Sequence, residues 1–248
     1  MTTVPRVPQH PLWRELAEFM GERFRPEWCN DGEAKAYEEL AHYPDVDTFY
    51  RETDVLCYQS TAYFLHGWKR PYVAMLMELG RGPWSILDYG CGAGHDGIWF
   101  LEQGYEVGFV DIPSRSLEFC AWRLQRRGFA APVFPITGPI HVPFANIVWC
   151  MDVIEHLPSE HQPALLDRLG QLGTLVIVNL IEDRKADGRI HYPVDRIALS
   201  RHIEASGEVF FKDVYQMADG NISRALVYGR ALRKQANGDV AIDLRWKG

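Results

Sequence analysis

The sequence predicts an α/β protein: a doubly wound, mostly parallel sheet preceded by an N-terminal helical cap. Three observations predict it. Apolar residues in the first eighty positions recur at helical spacing. From about residue 85, short apolar runs alternate with helical segments, the pattern of parallel strands joined by crossover helices. Near the end, EVFFKDVYQM and ISRALVYGR flank Ala218-Asp219-Gly220-Asn221, a hairpin signal because Asp-Gly and Asn tolerate positive φ.

In chain order, Leu12, Leu16, Phe19 and Met20 mark a first helix, with Pro11 suited to its first turn. Ala34, Tyr37 and Ala41 make a weaker stripe; Val55, Tyr58, Ala62 and Leu65 make a third; Tyr72, Met75, Leu76 and Leu79 a fourth, stopped by Gly80 and Gly82-Pro83. Strands are expected at about 85–90, 106–112, 131–136, 145–151 and 174–180. Between them Leu117, Cys120, Ala121 and Leu124 define one amphipathic helix, and Leu165, Leu166, Leu169 and Leu172 another. The expected organisation is a cap over 1–80, a core over 81–232 and a C-terminal extension over 233–248.

The 248 residues can bury one sizeable core, and 47% hydrophobic with 24% charged residues is an ordinary globular balance. A net charge of −7 argues against a nucleic-acid partner, which needs clustered Lys and Arg. The five cysteines (29, 57, 91, 120, 150) are scattered, several inside apolar runs, as buried free thiols are. No apolar leader and no run of eighteen apolar residues occurs, so a cytoplasmic protein without a membrane partner is expected. Oligomeric state is left open.

Residues 86–97, ILDYGCGAGHDG, carry the chemistry. A strand running into glycines and then a helix lets the backbone approach a ligand and aims free N–H groups at it. Gly92-x-Gly94-x-x-Gly97 fits a dinucleotide turn, and with it a nicotinamide-dependent oxidoreductase. Asp88-x-Gly90-x-Gly92-x-Gly94 fits S-adenosylmethionine instead, because a carboxylate faces an ammonium group well and a pyrophosphate poorly. Asp111, ending the next strand, suits the ribose diol of either ligand.

With Ile86-Leu87-Asp88-Tyr89-Gly90-Cys91-Gly92-Ala93-Gly94, Asp111, and the run from Ile147 to Pro158 (IVWCMDVIEHLP), the chain resembles the class I S-adenosylmethionine-dependent methyltransferases of small-molecule type. The resemblance spans roughly 84–230. It implies a seven-stranded Rossmann-like sheet with one antiparallel strand, and N-terminal helices covering the substrate pocket. It also implies that Asp88, Tyr89 and the backbone of Gly90, Cys91, Gly92 and Gly94 hold the methionine end, Asp111 the ribose and Ile112 the adenine, with Met151 beside them. The acid that many relatives supply to the adenine amino group has no counterpart in ITGPIHVPF, so that contact is unassigned.

Asp152, Glu155 and His156 follow the fourth expected strand, where a methyl acceptor belongs. His156 is a candidate general base, having an ordinary pKa near neutrality, and Asp152 and Glu155 are its candidate partners. With His191 the same three residues could form an oxygen-and-nitrogen set for a divalent metal, similar to that of small-RNA 2′-O-methyltransferases. An RNA 2′-O-methyltransferase is therefore a further alternative; bracing of the local helix is the structural one. Tyr50, Tyr58, Tyr63, Phe64 and Trp68 form an aromatic group in the cap, from which Tyr58 is singled out for its hydroxyl. The expected reaction moves a methyl group to an O, N or C nucleophile of a small molecule.

Overall fold

The computed structural model describes residues 9–30, 32–67, 69–78, 84–139, 141–182, 189–206, 208–216, 222–229, 232–234 and 240–242. The cap contains α1 (Pro11–Met20), α2 (Gly32–Leu40), α3 (Val46–Glu52), α4 (Val55–His66) and α5 (Arg70–Glu78). The core follows as β1 (Ser85–Tyr89), α6 (His95–Glu102), β2 (Glu106–Asp111), α7 (Arg115–Arg126), β3 (Val133–Pro135) and β4 (Ala145–Cys150). It continues through α8 (Gln162–Leu172), β5 (Gly173–Glu182), α9 (Arg196–Ser206), β6 (Glu208–Gln216) and β7 (Ile222–Gly229). Two short strands, β8 (Leu232–Lys234) and β9 (Val240–Ile242), pair with each other in a separate antiparallel ladder.

Local chemistry starts these helices, as expected for α1. Pro11 opens α1, and His10 Nδ1 accepts from Leu12 N at 3.2 Å. Ser114 caps α7 through a bond from Leu117 N at 3.1 Å, the kind of cap that contributes about 1 kcal/mol. Asp45 caps α3 in the same way, accepting from Thr48 N at 2.7 Å. Neither α3 nor α9 belongs to the expected elements. The turn 218–221 read as a hairpin signal lies outside the described residues, as do residues 79–83, but β6 and β7 pair antiparallel as that signal requires.

The sheet has seven strands in the order β3-β2-β1-β4-β5-β7-β6, with β7 antiparallel to both neighbours. Its central strands are apolar on both faces, because helices cover both sides. Ile86, Ile147, Trp149, Leu175 and Ile177 pack on one face with Leu76, Ile98, Phe100 and Leu124. The alternate residues Leu87, Val148, Val176 and Val178 pack on the other with Leu166, Leu169, Leu199 and Ile203. A third cluster, Trp13, Leu16, Met20, Cys57, Tyr58, Ala93 and Phe119, joins the cap to α7 and the glycine loop.

Candidate active site

Strand order reverses between β1 and β4, and the crevice at the carboxyl ends of such strands is where open α/β sheets bind ligands. A cavity of about 510 Å³ opens there. The glycine loop forms its floor. Gly90 N and Cys91 N both donate to Val110 O, at 2.7 and 3.1 Å, which ties the turn to β2. Gly90 has φ +73°, and a Cβ there would lie 2.2 Å from Val153 Cγ2, so only glycine fits. At Gly92 nothing lies within 4 Å of a Cβ position, so the loop backbone is open to a ligand. Gly97 has a different purpose: its N–H donates to Asp88 Oδ2 at 3.0 Å, and a Cβ would lie 2.3 Å from the Phe109 ring. The third glycine of the G-x-G-x-x-G match thus packs α6 against the sheet.

Of the residues expected to hold a cofactor, Asp88, Tyr89, Gly90, Cys91, Gly92, Asp111, Ile112 and Met151 line this one cavity. Gly94 stands immediately before α6. Asp111 Oδ2 accepts from Gly92 N at 2.6 Å and Oδ1 from Ile112 N at 2.7 Å, which fixes the carboxylate and leaves each oxygen a second lone pair. Burial raises its pKa to about 6, against the pull of those two N–H groups.

Asp88 is buried, and burial together with the neighbouring Asp96 raises its pKa to about 8, despite the Lys69 charge and the Gly97 N–H. Lys69, which the sequence reading missed, reaches in from the cap. Its Nζ stands 2.9 Å from Asp96 Oδ2 and 3.3 Å from Asp152 Oδ2. Burial would lower its pKa, but Asp96 and Asp152 outweigh that and hold it firmly protonated. Trp149 Nε1 also donates to Asp96 Oδ2, at 3.0 Å. Two carboxylates therefore hold the Lys69 ammonium, and Asp88 stands beside them ready to ionise against a second cation.

Asp152 sits in the left-handed region at φ +57°. Asn179, on β5, holds it there: Asp152 N donates to Asn179 Oδ1 at 2.8 Å, and Asn179 Nδ2 donates to Asp152 Oδ1 at 2.6 Å. Residues 154–156 form a single 3₁₀ turn instead of an α-helical one. This turns Asp152 toward Lys69 while His156 faces the cap. The expected metal set of Asp152, Glu155, His156 and His191 is accordingly corrected. Among the described residues no group of three or more His, Cys, Asp or Glu side chains is placed to hold a metal ion. His156 and His191 do approach, with ring centroids 5.0 Å apart, and Glu155 lines the same cavity.

His156 Nδ1 lies 2.7 Å from Tyr50 Oη and 3.2 Å from Ile190 O, and Tyr50 Oη donates to Ile190 O at 2.8 Å. Burial and the nearby His191 lower the His156 pKa to about 4. Tyr58, the tyrosine singled out beforehand, is a second correction. It is fully buried among Trp13, Phe24 and Trp28, and its hydroxyl accepts from Arg25 N at 2.7 Å, away from the cavity lining. Tyr50, Tyr63 and Phe64 are the cap aromatics that line the cavity; Trp68 lies outside the described residues.

His95 is structural. Arg123 Nη1 donates to its Nδ1 at 3.1 Å, so the proton must be on Nε2, 3.0 Å from Thr61 Oγ1. Burial and the Arg123 charge keep it neutral, its pKa well below the ordinary value.

The seven-stranded order, the reversal crevice and the glycine loop with its two acids define a doubly wound α/β fold with a ligand site at the strand reversal. A family model described as a methyltransferase domain matches residues 86–172. Among solved structures, magnesium protoporphyrin IX methyltransferase from Synechocystis with bound S-adenosylhomocysteine superimposes with a TM-score of 0.59 at 16% identity, over 83% of this chain and 97% of that one. The 1,6-didemethyltoxoflavin-N1-methyltransferase of Burkholderia thailandensis gives 0.52 at 20% identity, over 64% and 76%. The [4+2]-cyclase SpnF shares the fold too, at 0.54 and 11% identity over 64% and 80%. No curated protein matches the sequence. No helix among the described residues is long and apolar enough to cross a membrane.

Proposed function

We propose that the protein is an S-adenosylmethionine-dependent methyltransferase acting on a small-molecule acceptor. One observation carries the reading: a single cavity runs from Asp111 and the open loop backbone at Gly92 to the imidazole of His156. Bound S-adenosylmethionine supplies an electrophilic methyl group. Asp111 accepts hydrogen bonds from the ribose diol, Ile112 packs on the base, and Asp88 with its carboxylate neighbours receives the ammonium. His156, neutral above about pH 4, takes the proton of a protic acceptor, while the cap aromatics exclude water and align the acceptor.

The oxidoreductase alternative is weakened by Asp96 in the first turn of α6, where a pyrophosphate would need positive potential. The RNA alternative loses the metal set it depended on.

Calorimetric titration of the folded protein with S-adenosylhomocysteine tests the proposal. Binding is expected, and Asp111→Ala should weaken it by roughly tenfold or more, as loss of two charge-assisted bonds requires. Absence of binding to protein that is folded by circular dichroism, with NADH bound instead, would overturn the reading.

A further inference from the structure

We infer that Tyr50 is a positioning residue: it fixes the proton of His156 on Nδ1 and leaves Nε2 as the atom that accepts a proton in the cavity. The inference deepens the proposed methyltransferase reading and rests on it for its catalytic meaning. Its geometry stands on three oxygen and nitrogen atoms.

Ile190 O is a carbonyl and can only accept. Tyr50 has one hydroxyl hydrogen, and at 2.8 Å it is given to Ile190 O. The Tyr50 oxygen then faces Nδ1 at 2.7 Å with lone pairs alone, so Nδ1 must bring the hydrogen. The longer, weaker 3.2 Å approach of the same Nδ1 to Ile190 O agrees with this assignment, and the 2.7 Å contact to Tyr50 is the one that enforces it. A proton on Nε2 would set two lone pairs against each other at Nδ1. Among the described residues nothing hydrogen-bonds Nε2, and the ring lines the cavity.

The consequence for the reaction is a directed proton path. As the acceptor atom bonds to the methyl carbon, the carbon–sulfur bond breaks and leaves its electron pair on sulfur. The acceptor's own proton passes to Nε2, giving an imidazolium whose Nδ1–H is already held by Tyr50 and Ile190. Positive charge thus moves from sulfur to His156. The acceptor must be protic, carrying an O–H or N–H that can reach Nε2. Burial makes His156 a weak base, so an acidic hydroxyl is matched better than an aliphatic alcohol.

Nitrogen-15 NMR of the full chain with ring-labelled histidine tests this, His156→Gln assigning the His156 signals. In the wild type the proton is expected on Nδ1 with Nε2 bare; in Tyr50→Phe the two nitrogens should shift toward a mixed-tautomer average. A wild-type proton on Nε2, or ring signals unmoved by Tyr50→Phe, overturns the inference. Failure of S-adenosylhomocysteine to bind wild type would instead remove the methyltransferase reading and leave the tautomer standing.

Discussion

Asn179 shows how much one side chain can hold in place. Its amide both donates to and accepts from Asp152, and so keeps that residue at positive φ, where a non-glycine residue costs roughly 1–3 kcal/mol. Asn179→Leu keeps the volume and removes both bonds. Unfolding in urea should show a loss of about 2–4 kcal/mol, since one bond goes to a carboxylate. A second test concerns Asp111. Its carboxylate must be ionised to accept from a diol, and its pKa stands at about 6. S-adenosylhomocysteine affinity should therefore fall as pH drops from 7 to 5, and Asp111→Asn should flatten that step. Asp88 and Gly90 could be placed at the crevice from sequence because the loop is contiguous, and Asp111 because it ends the next strand. Lys69 and Asn179 could not, and Tyr50 could be read only as one of several cap aromatics: each meets its partner across 27 to 106 positions. Asn179 left a trace, a polar residue inside the apolar run TLVIVNL. Tyr58 misled because helical spacing cannot say which of several rings faces a cavity.

Among elements, the strands and amphipathic helices of the core were readable from period alone, whereas α3 and α9 were not. In α3 a single residue, Phe49, is buried, which is too little for a stripe. In α9 the apolar residues buried in the core, among the described residues, are the pair Leu199 and Ile203, and the start signal was Asp195, which accepts from Ile197 N and Ala198 N at 3.1 and 2.9 Å. The joint between α1, α7 and the glycine loop likewise has no local signature. Arg123, almost fully buried, bonds Glu15 of α1 at 3.1 Å, Ala93 O at 2.7 Å and His95 Nδ1 at 3.1 Å. Removing one partner of a buried pair typically costs about 3–5 kcal/mol. Arg123→Met should lose about that much in urea unfolding. It should also make α1 the first site cut in limited proteolysis, because Glu15 then keeps only Arg127. Equal cleavage rates in α1 and the core would show that the cap does not depend on this joint.

Across the whole molecule, stability and ligand binding are linked through buried charge. His95 and His156 are held neutral in the fold, so the unfolded chain binds more protons at low pH, and their contribution is lost as pH falls below about 6.5. Asp88 and Asp111 act in the opposite sense, because their raised pKa values let the folded state keep protons that the unfolded chain has released. In acid the two pairs therefore oppose each other. Above pH 6.5 the histidines are neutral in both states and Asp111 is ionised in both, which leaves Asp88 with its pKa of about 8. From pH 6.5 to 8 the free protein should therefore lose stability as pH rises, by at most about 1.4 kcal/mol per pH unit for one proton. Asp88→Asn should abolish the slope. Saturating S-adenosylhomocysteine should diminish it in the wild type, because an ammonium group beside Asp88 favours the ionised form and brings its pKa down. Urea midpoints measured across that range, with and without ligand, check both statements. A slope unaltered by the ligand would mean that the ammonium does not reach Asp88 and that the cofactor lies elsewhere in the crevice.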